Sequence, residues 1–79
     1  MASYQYYGLT PMRNSVIANG QEVPATFPCT LKQFLITQQL PPRSVAVELN
    51  GEAVPPSEFA RRTLAPGDRL EIVEIVAGG

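Results

Sequence analysis

The chain has no histidine, a single cysteine (Cys29) and a single lysine (Lys32) among its 79 residues. These shortages exclude several classes of chemistry. One cysteine forms no internal disulfide. Without histidine there is no Cys/His metal cluster, no Cys-His pair and no Ser-His-Asp triad. A formal net charge of −1 leaves no basic footprint for nucleic acid. No run of about 18 apolar residues is present to span a membrane. The N-terminus lacks the charged-then-apolar order of a secretory signal, so the expected location is the cytoplasm. What remains is 44% hydrophobic, too apolar for a disordered segment. A chain this short makes one small domain that buries about 60% of its unfolded surface. The acids Glu22, Glu48, Glu52, Glu58, Asp68, Glu71 and Glu74 sit beside turns or alternate along strands, which suits a solvated face.

The most informative stretch is Asp68-Arg69-Leu70-Glu71-Ile72-Val73-Glu74-Ile75-Val76-Ala77-Gly78-Gly79. Leu70 and Ile72 alternate with Arg69, Glu71 and Val73, as a strand with one buried face requires. Val76, Ala77, Gly78 and Gly79 then lose bulk step by step. Paired glycines lose the most backbone entropy on ordering, and they have no side chain to obstruct a narrow channel. A tail of this kind can enter another protein's active site and present the Gly79 carboxylate there. A carboxylate is a poor electrophile. Once adenylated by ATP it becomes open to attack by sulfur, to give a thiocarboxylate or thioester.

In front of the tail, residues 1–14 show no apolar period and read as a flexible N-terminal extension, with Met12 as a second candidate start. The domain is expected over 15–75 and the flexible tail over 76–79. Ser15–Ala18 reads as a strand. Asn19-Gly20 suits a type I′ turn, which needs positive φ at both central positions. Gln21 to Phe27 is the expected return strand, with Val16, Ala18, Val23 and Phe27 pointing inward. Thr30 is the expected N-cap of a helix of about ten residues, too short to persist alone. Its stripe is Leu31, Phe34 and Leu35; Leu40 closes it and Pro41-Pro42 stops it. Cys29 is a small residue just before that helix, where a depressed thiol pKa is the alternative.

Ser44–Leu49 alternates, with Val45, Val47 and Leu49 on one face, and Asn50-Gly51 is a second tight turn. Glu52–Val54 pairs back briefly. Ser57–Arg61 suits one helical turn that tucks Phe59 under the sheet. Arg61-Arg62 reads as solvated. Thr63-Leu64 is a short edge strand, and Pro66-Gly67-Asp68 launches the last strand. Val73 is out of phase with Leu70 and Ile72, so it lies on the open face or follows a bulge; the open face is expected. There, beside the tail, it would serve as a partner-docking residue. The order gives an α+β layer pair in which one helix covers one face of a sheet.

This order resembles the ubiquitin-like β-grasp fold: a mixed four- to five-stranded sheet packed on one main helix. More narrowly it resembles the sulfur carrier family of thiamine biosynthesis (ThiS). The pieces that carry the resemblance are the strand ending in Asn19-Gly20, the helix from Thr30, and Val45-Ala46-Val47-Glu48-Leu49-Asn50-Gly51. Val54-Pro55, Ser57-Glu58-Phe59, Pro66-Gly67-Asp68 and the run from Glu71 to Gly79 complete it, so that residues 15–79 are covered. The extension 1–14 departs from the pattern. The resemblance implies a co-substrate and not an enzyme, with no bound cofactor. A ThiF-like adenylating enzyme would use ATP to join AMP to Gly79. A cysteine desulfurase would be the indirect sulfur source. A ThiG-like thiazole synthase would accept the tail and take the sulfur. Gly79 would be the attachment site, and Gly78, Ala77 and Val76 the recognised tail.

Three other readings stand beside this one. The small subunit of molybdopterin synthase shares fold and tail chemistry, but its Phe-Ala-x-Leu-Arg type first strand is missing from Ser15–Asn19. A ubiquitin-like modifier would join target lysines, and a plain interaction module would leave the tail unmodified.

Overall fold

The structure is a computed structural model, and it describes residues 14–75. The expected extension 1–14, except Asn14, and the tail Val76–Gly79 lie outside the described residues. The strands are β1 (Ser15–Ala18), β2 (Gln21–Pro24), β3 (Cys29–Thr30), β4 (Val45–Leu49), β5 (Glu52–Val54), β6 (Thr63–Leu64) and β7 (Arg69–Glu74). Helix α1 is Leu31–Thr37, and 3₁₀ turns occupy Pro42–Ser44 and Pro56–Glu58. Five strands form one sheet in the order β2-β1-β7-β4-β5, and β3 pairs with β6 in a second, two-stranded sheet. β7 is thus central, parallel to β1 on one side and antiparallel to β4 on the other.

Both Asn-Gly pairs form the expected turns. Asn19 and Gly20 have φ of 51° and 83°, and Asn50 and Gly51 have φ of 51° and 85°. Asparagine and glycine tolerate this left-handed region. The hairpins they close are β1–β2 and β4–β5. The return strand is shorter than expected. It ends at Pro24 on the sheet edge, opposite Ser15, and one further bond follows it, from the Ala25 N–H to the Asn14 carbonyl at 2.9 Å. Ala18, Val23 and Phe27 are half-buried against the core, and Val16 is fully buried.

Helix α1 is held at its first turn by the residues around it. Thr30 Oγ1 accepts from the Gln33 N–H at 3.1 Å, and Gln33 Oε1 accepts from the Thr30 N–H at 2.8 Å, a complete capping box. The Leu31 and Lys32 N–H groups donate to the carbonyls of Arg62 and Phe59. The amides that a helix start leaves without partners are therefore taken up by the turn before β6.

The far end corrects the expectation of about ten residues, because α1 has seven. It closes before the prolines are reached. Gln39 has φ of 62° and donates to the Ile36 carbonyl, while the Leu40 N–H donates to the Leu35 carbonyl at 2.8 Å. These are the two bonds of a Schellman motif, formed with glutamine where glycine is usual.

The core is one cluster. Val16, Val45, Val47, Val54 and Leu70 come from the inner face of the sheet, and Leu31, Phe34 and Leu35 from the helix. Phe59 and Leu64 close it from the side, with Phe59 only 1% exposed. Each fully buried side chain of this size contributes about 1.5–3 kcal/mol. Arg62 differs from the solvated reading of Arg61-Arg62. It is half-buried and joins Glu52 at 3.2 Å and Glu58 at 3.9 Å, so it ties β5 to the turn before β6.

Candidate docking surface beside the C-terminal tail

The central position of β7 is reinforced at both ends by side chains from the two Asn-Gly turns. At its start, Asn50 Oδ1 accepts from the Arg69 N–H at 2.9 Å, and Asn50 Nδ2 donates to Asp68 Oδ1 at 3.1 Å. Asp68 Oδ2 in turn accepts from the Ala65 N–H, which closes the turn that launches the strand. Farther along, β1 has only two partners on β7, Arg69 and Leu70. Asn19 then continues the pairing with its side chain. Oδ1 accepts from the Ile72 N–H at 2.7 Å, and Nδ2 donates to the Ile72 carbonyl at 3.0 Å. A carboxamide offers one donor and one acceptor, as a peptide group does, so Asn19 acts as one more strand residue.

On the other side, β4 runs beside β7 without interruption from Leu49↔Leu70 to Val45↔Glu74. The Ile75 N–H still donates to Ser44 O at 2.8 Å. No bulge intervenes, so parity alone sets the faces. Leu70 points into the core, while Val73 is 62% exposed and Ile75 is 57% exposed. The expected open-face position of Val73 is therefore observed.

The surface around Val73 is larger than that one residue. Ala46 lies opposite Val73, and Ala53 lies opposite Glu48 on the next strand. Ala46, Glu48, Ala53, Glu71 and Val73 line a shallow depression of about 360 Å³ with Val47 beneath. Ile75 continues the apolar stripe toward the tail. It was missed in the sequence, although its spacing of two from Val73 is the signal that places it on the same face. The alanines were missed because they matter only once the strand register brings them together.

Gly79, Gly78, Ala77 and Val76, the expected attachment and recognition residues, lie outside the described residues. β7 leads directly to them. Cys29 is half-buried before α1, and burial raises its pKa above the ordinary thiol value. That direction opposes the activated-cysteine alternative. Among the described residues no group of three or more His, Cys, Asp or Glu is placed to hold a metal.

A mixed sheet that wraps a single helix, with its last strand at the centre and its other face open, defines the ubiquitin-like β-grasp class. Within that class the chain belongs to the ThiS family, whose model matches residues 13–79. The crystal structure of a thiamine biosynthesis protein (ThiS) from Geobacter metallireducens is similar at 26% identity with a TM-score of 0.69, over 82% of this chain and 99% of that one. The solution structure of a thiamine biosynthesis protein from the same organism gives 26% identity and a TM-score of 0.68, over 82% and 87%. A thiazole synthase from Paramagnetospirillum magneticum is 38% identical over 64 residues, covering 81% of this chain. The match spans 20% of that protein's length.

Proposed function

We propose that this chain carries sulfur for thiazole formation in thiamine biosynthesis, as a co-substrate with no catalysis of its own. The observation that carries the reading is the match to the ThiS family, which runs through β7 to residue 79 and so includes the tail. The structural relatives are thiamine biosynthesis proteins, which favours this role over the molybdopterin alternative. The likeness to part of a thiazole synthase supports a synthase of that kind as the acceptor. A cytoplasmic location belongs to this proposal. Among the described residues no helix is long and apolar enough to cross a membrane.

In this reading the Gly79 carboxylate attacks the α-phosphorus of ATP on a ThiF-like enzyme. Pyrophosphate leaves and an acyl-adenylate forms. A desulfurase takes sulfur from cysteine as an enzyme persulfide, two equivalents of a thiol reductant release it as sulfide and leave as a disulfide, and the sulfide then attacks the acyl carbon. The carbon–oxygen bond to AMP breaks, AMP departs, and the thiocarboxylate remains. Gly78, Ala77 and Val76 present little bulk to the channel that receives them. The chain supplies the acyl group and the handle, while the partner supplies ATP and catalysis. The Val73–Ile75 stripe docks the partner at the C-terminal end of β7.

Intact-mass measurement tests this. With a ThiF-like enzyme, ATP and a sulfur source, the protein should gain the mass of one oxygen exchanged for sulfur, localised to Gly79. Deletion of Gly79 should abolish the gain and leave the fold intact. An unaltered mass in the complete mixture, or loading that survives the deletion, would overturn the reading.

A further inference from the structure

The acids of this domain divide into two groups. Glu52 and Glu58 are engaged by Arg62, Asp68 by Asn50 and the Ala65 N–H, and Glu22 by the Ser15 hydroxyl at 2.7 Å. Glu48, Glu71 and Glu74 have no such partner among the described residues, and the register sets Glu48 and Glu71 directly opposite each other on β4 and β7, while Glu74 faces Val45. The flanking bonds, Asn50 N–H to Arg69 O and Ile75 N–H to Ser44 O, fix the phase of the ladder. They make Glu48–Glu71 a hydrogen-bonded pair, with Cα atoms about 5.5 Å apart. Like charges so placed destabilise a sheet. Arg69 sits two residues before Glu71 on the same face and forms an ion pair with neither carboxylate among the described residues.

Beside the two carboxylates lies the depression formed by Ala46, Ala53 and Val73. Its shape and its charge call for one kind of occupant: a long apolar stem ending in a cation. Resting on this proposed role as a carrier, we infer that the depression receives an arginine side chain of the protein that takes the tail. The stem lies over the alanines and Val73, and the guanidinium lies between Glu48 and Glu71. Arginine suits the site better than lysine, because its planar fork can donate to two carboxylates at once and is weakly hydrated. The cation relieves the cross-strand repulsion, so the pair is costly in the free carrier and favourable in the complex. The site lies on β7, the last described strand before Val76–Gly79 in the sequence.

The test compares the wild-type chain with the double variant Glu48→Gln, Glu71→Gln in binding to a ThiF-like enzyme and a ThiG-like synthase across a salt series. The variant should bind at least one of them about tenfold more weakly at low salt and with a flatter salt dependence. Its melting temperature should be unchanged or higher. Phenylglyoxal, which modifies arginine, should be blocked from a residue of that partner by the wild-type carrier and not by the variant. Equal affinity and equal salt dependence with both enzymes would overturn the inference, and protection of a lysine in place of an arginine would overturn its choice of side chain. An enzyme-free arm separates this outcome from failure of the carrier role. In NMR titrations, N-acetyl-arginine amide should shift the amides of Ala46, Glu48, Ala53, Glu71 and Val73, and the neutral citrulline analogue should not. If these shifts appear while Gly79 is never loaded, the site stands and the carrier reading falls. If loading proceeds and the shifts and salt effect are absent, the carrier reading stands and the arginine site falls.

Discussion

Leu70 and Val73 lie three residues apart on one strand, and their surroundings are opposite. Leu70 has no exposed surface, while Val73 is 62% exposed. The inner face of the sheet is closed by α1, Phe59 and Leu64, and its buried residues form one apolar cluster. The outer face carries two small residues, two exposed apolar ones and two carboxylates face to face. The inner face is organised to hold the chain together. The outer face sets Glu48 opposite Glu71, an arrangement that folding alone does not require. A strand between them can serve both purposes because successive side chains point to opposite sides.

This contrast can be broken most directly from inside. Leu70→Ala should destabilise the domain by about 2–5 kcal/mol, read as a lower denaturant midpoint with the slope preserved. A loss below about 1 kcal/mol would mean that the inner face is less tightly packed than its burial indicates. Asn19→Ala should cost about 1–3 kcal/mol, since it removes both bonds to Ile72 and leaves a left-handed position without a residue suited to it. Amide exchange at Ile72 should accelerate in that variant. A smaller change of the opposite sign is expected from Gln39→Gly, which relieves the positive φ at the helix end and should add up to about 1 kcal/mol. Val73→Asp should have the smallest effect on stability, within about 0.5 kcal/mol, yet it should weaken partner binding. A large fall in melting temperature in that variant would show the two faces to be less distinct than the exposure of Val73 indicates.

Much of the fold was legible because local chemistry announces itself. Asn-Gly twice in one short chain leaves little choice of turn, since both positions need positive φ. Thr30 ahead of the Leu31, Phe34 and Leu35 stripe spells a helix start, and alternation from Val45 to Leu49 spells a half-buried strand. The helix end was not legible. Gln39 is a poor candidate for a left-handed residue, and what holds it there is the pair of Schellman bonds together with the packing of Leu40 against the core. The short pairing of Cys29-Thr30 with Thr63-Leu64 was half visible, since only the second strand has a turn to mark its limits.

The candidate site divides in the same way. The sequence by itself determined that the chain ends in a strand running into a bare Gly-Gly, that Val73 is out of phase with the core, and that no residues are present for acid-base or metal chemistry centred on histidine. These follow from composition and from the two-residue period, which need no knowledge of neighbours. Only the tertiary structure decided that Glu48 faces Glu71, that Ala46 and Ala53 form the floor beside them, and that Asn19 reaches Ile72, 53 residues away. Register between distant strands depends on how all the inward side chains are buried together, and no local run of residues encodes that.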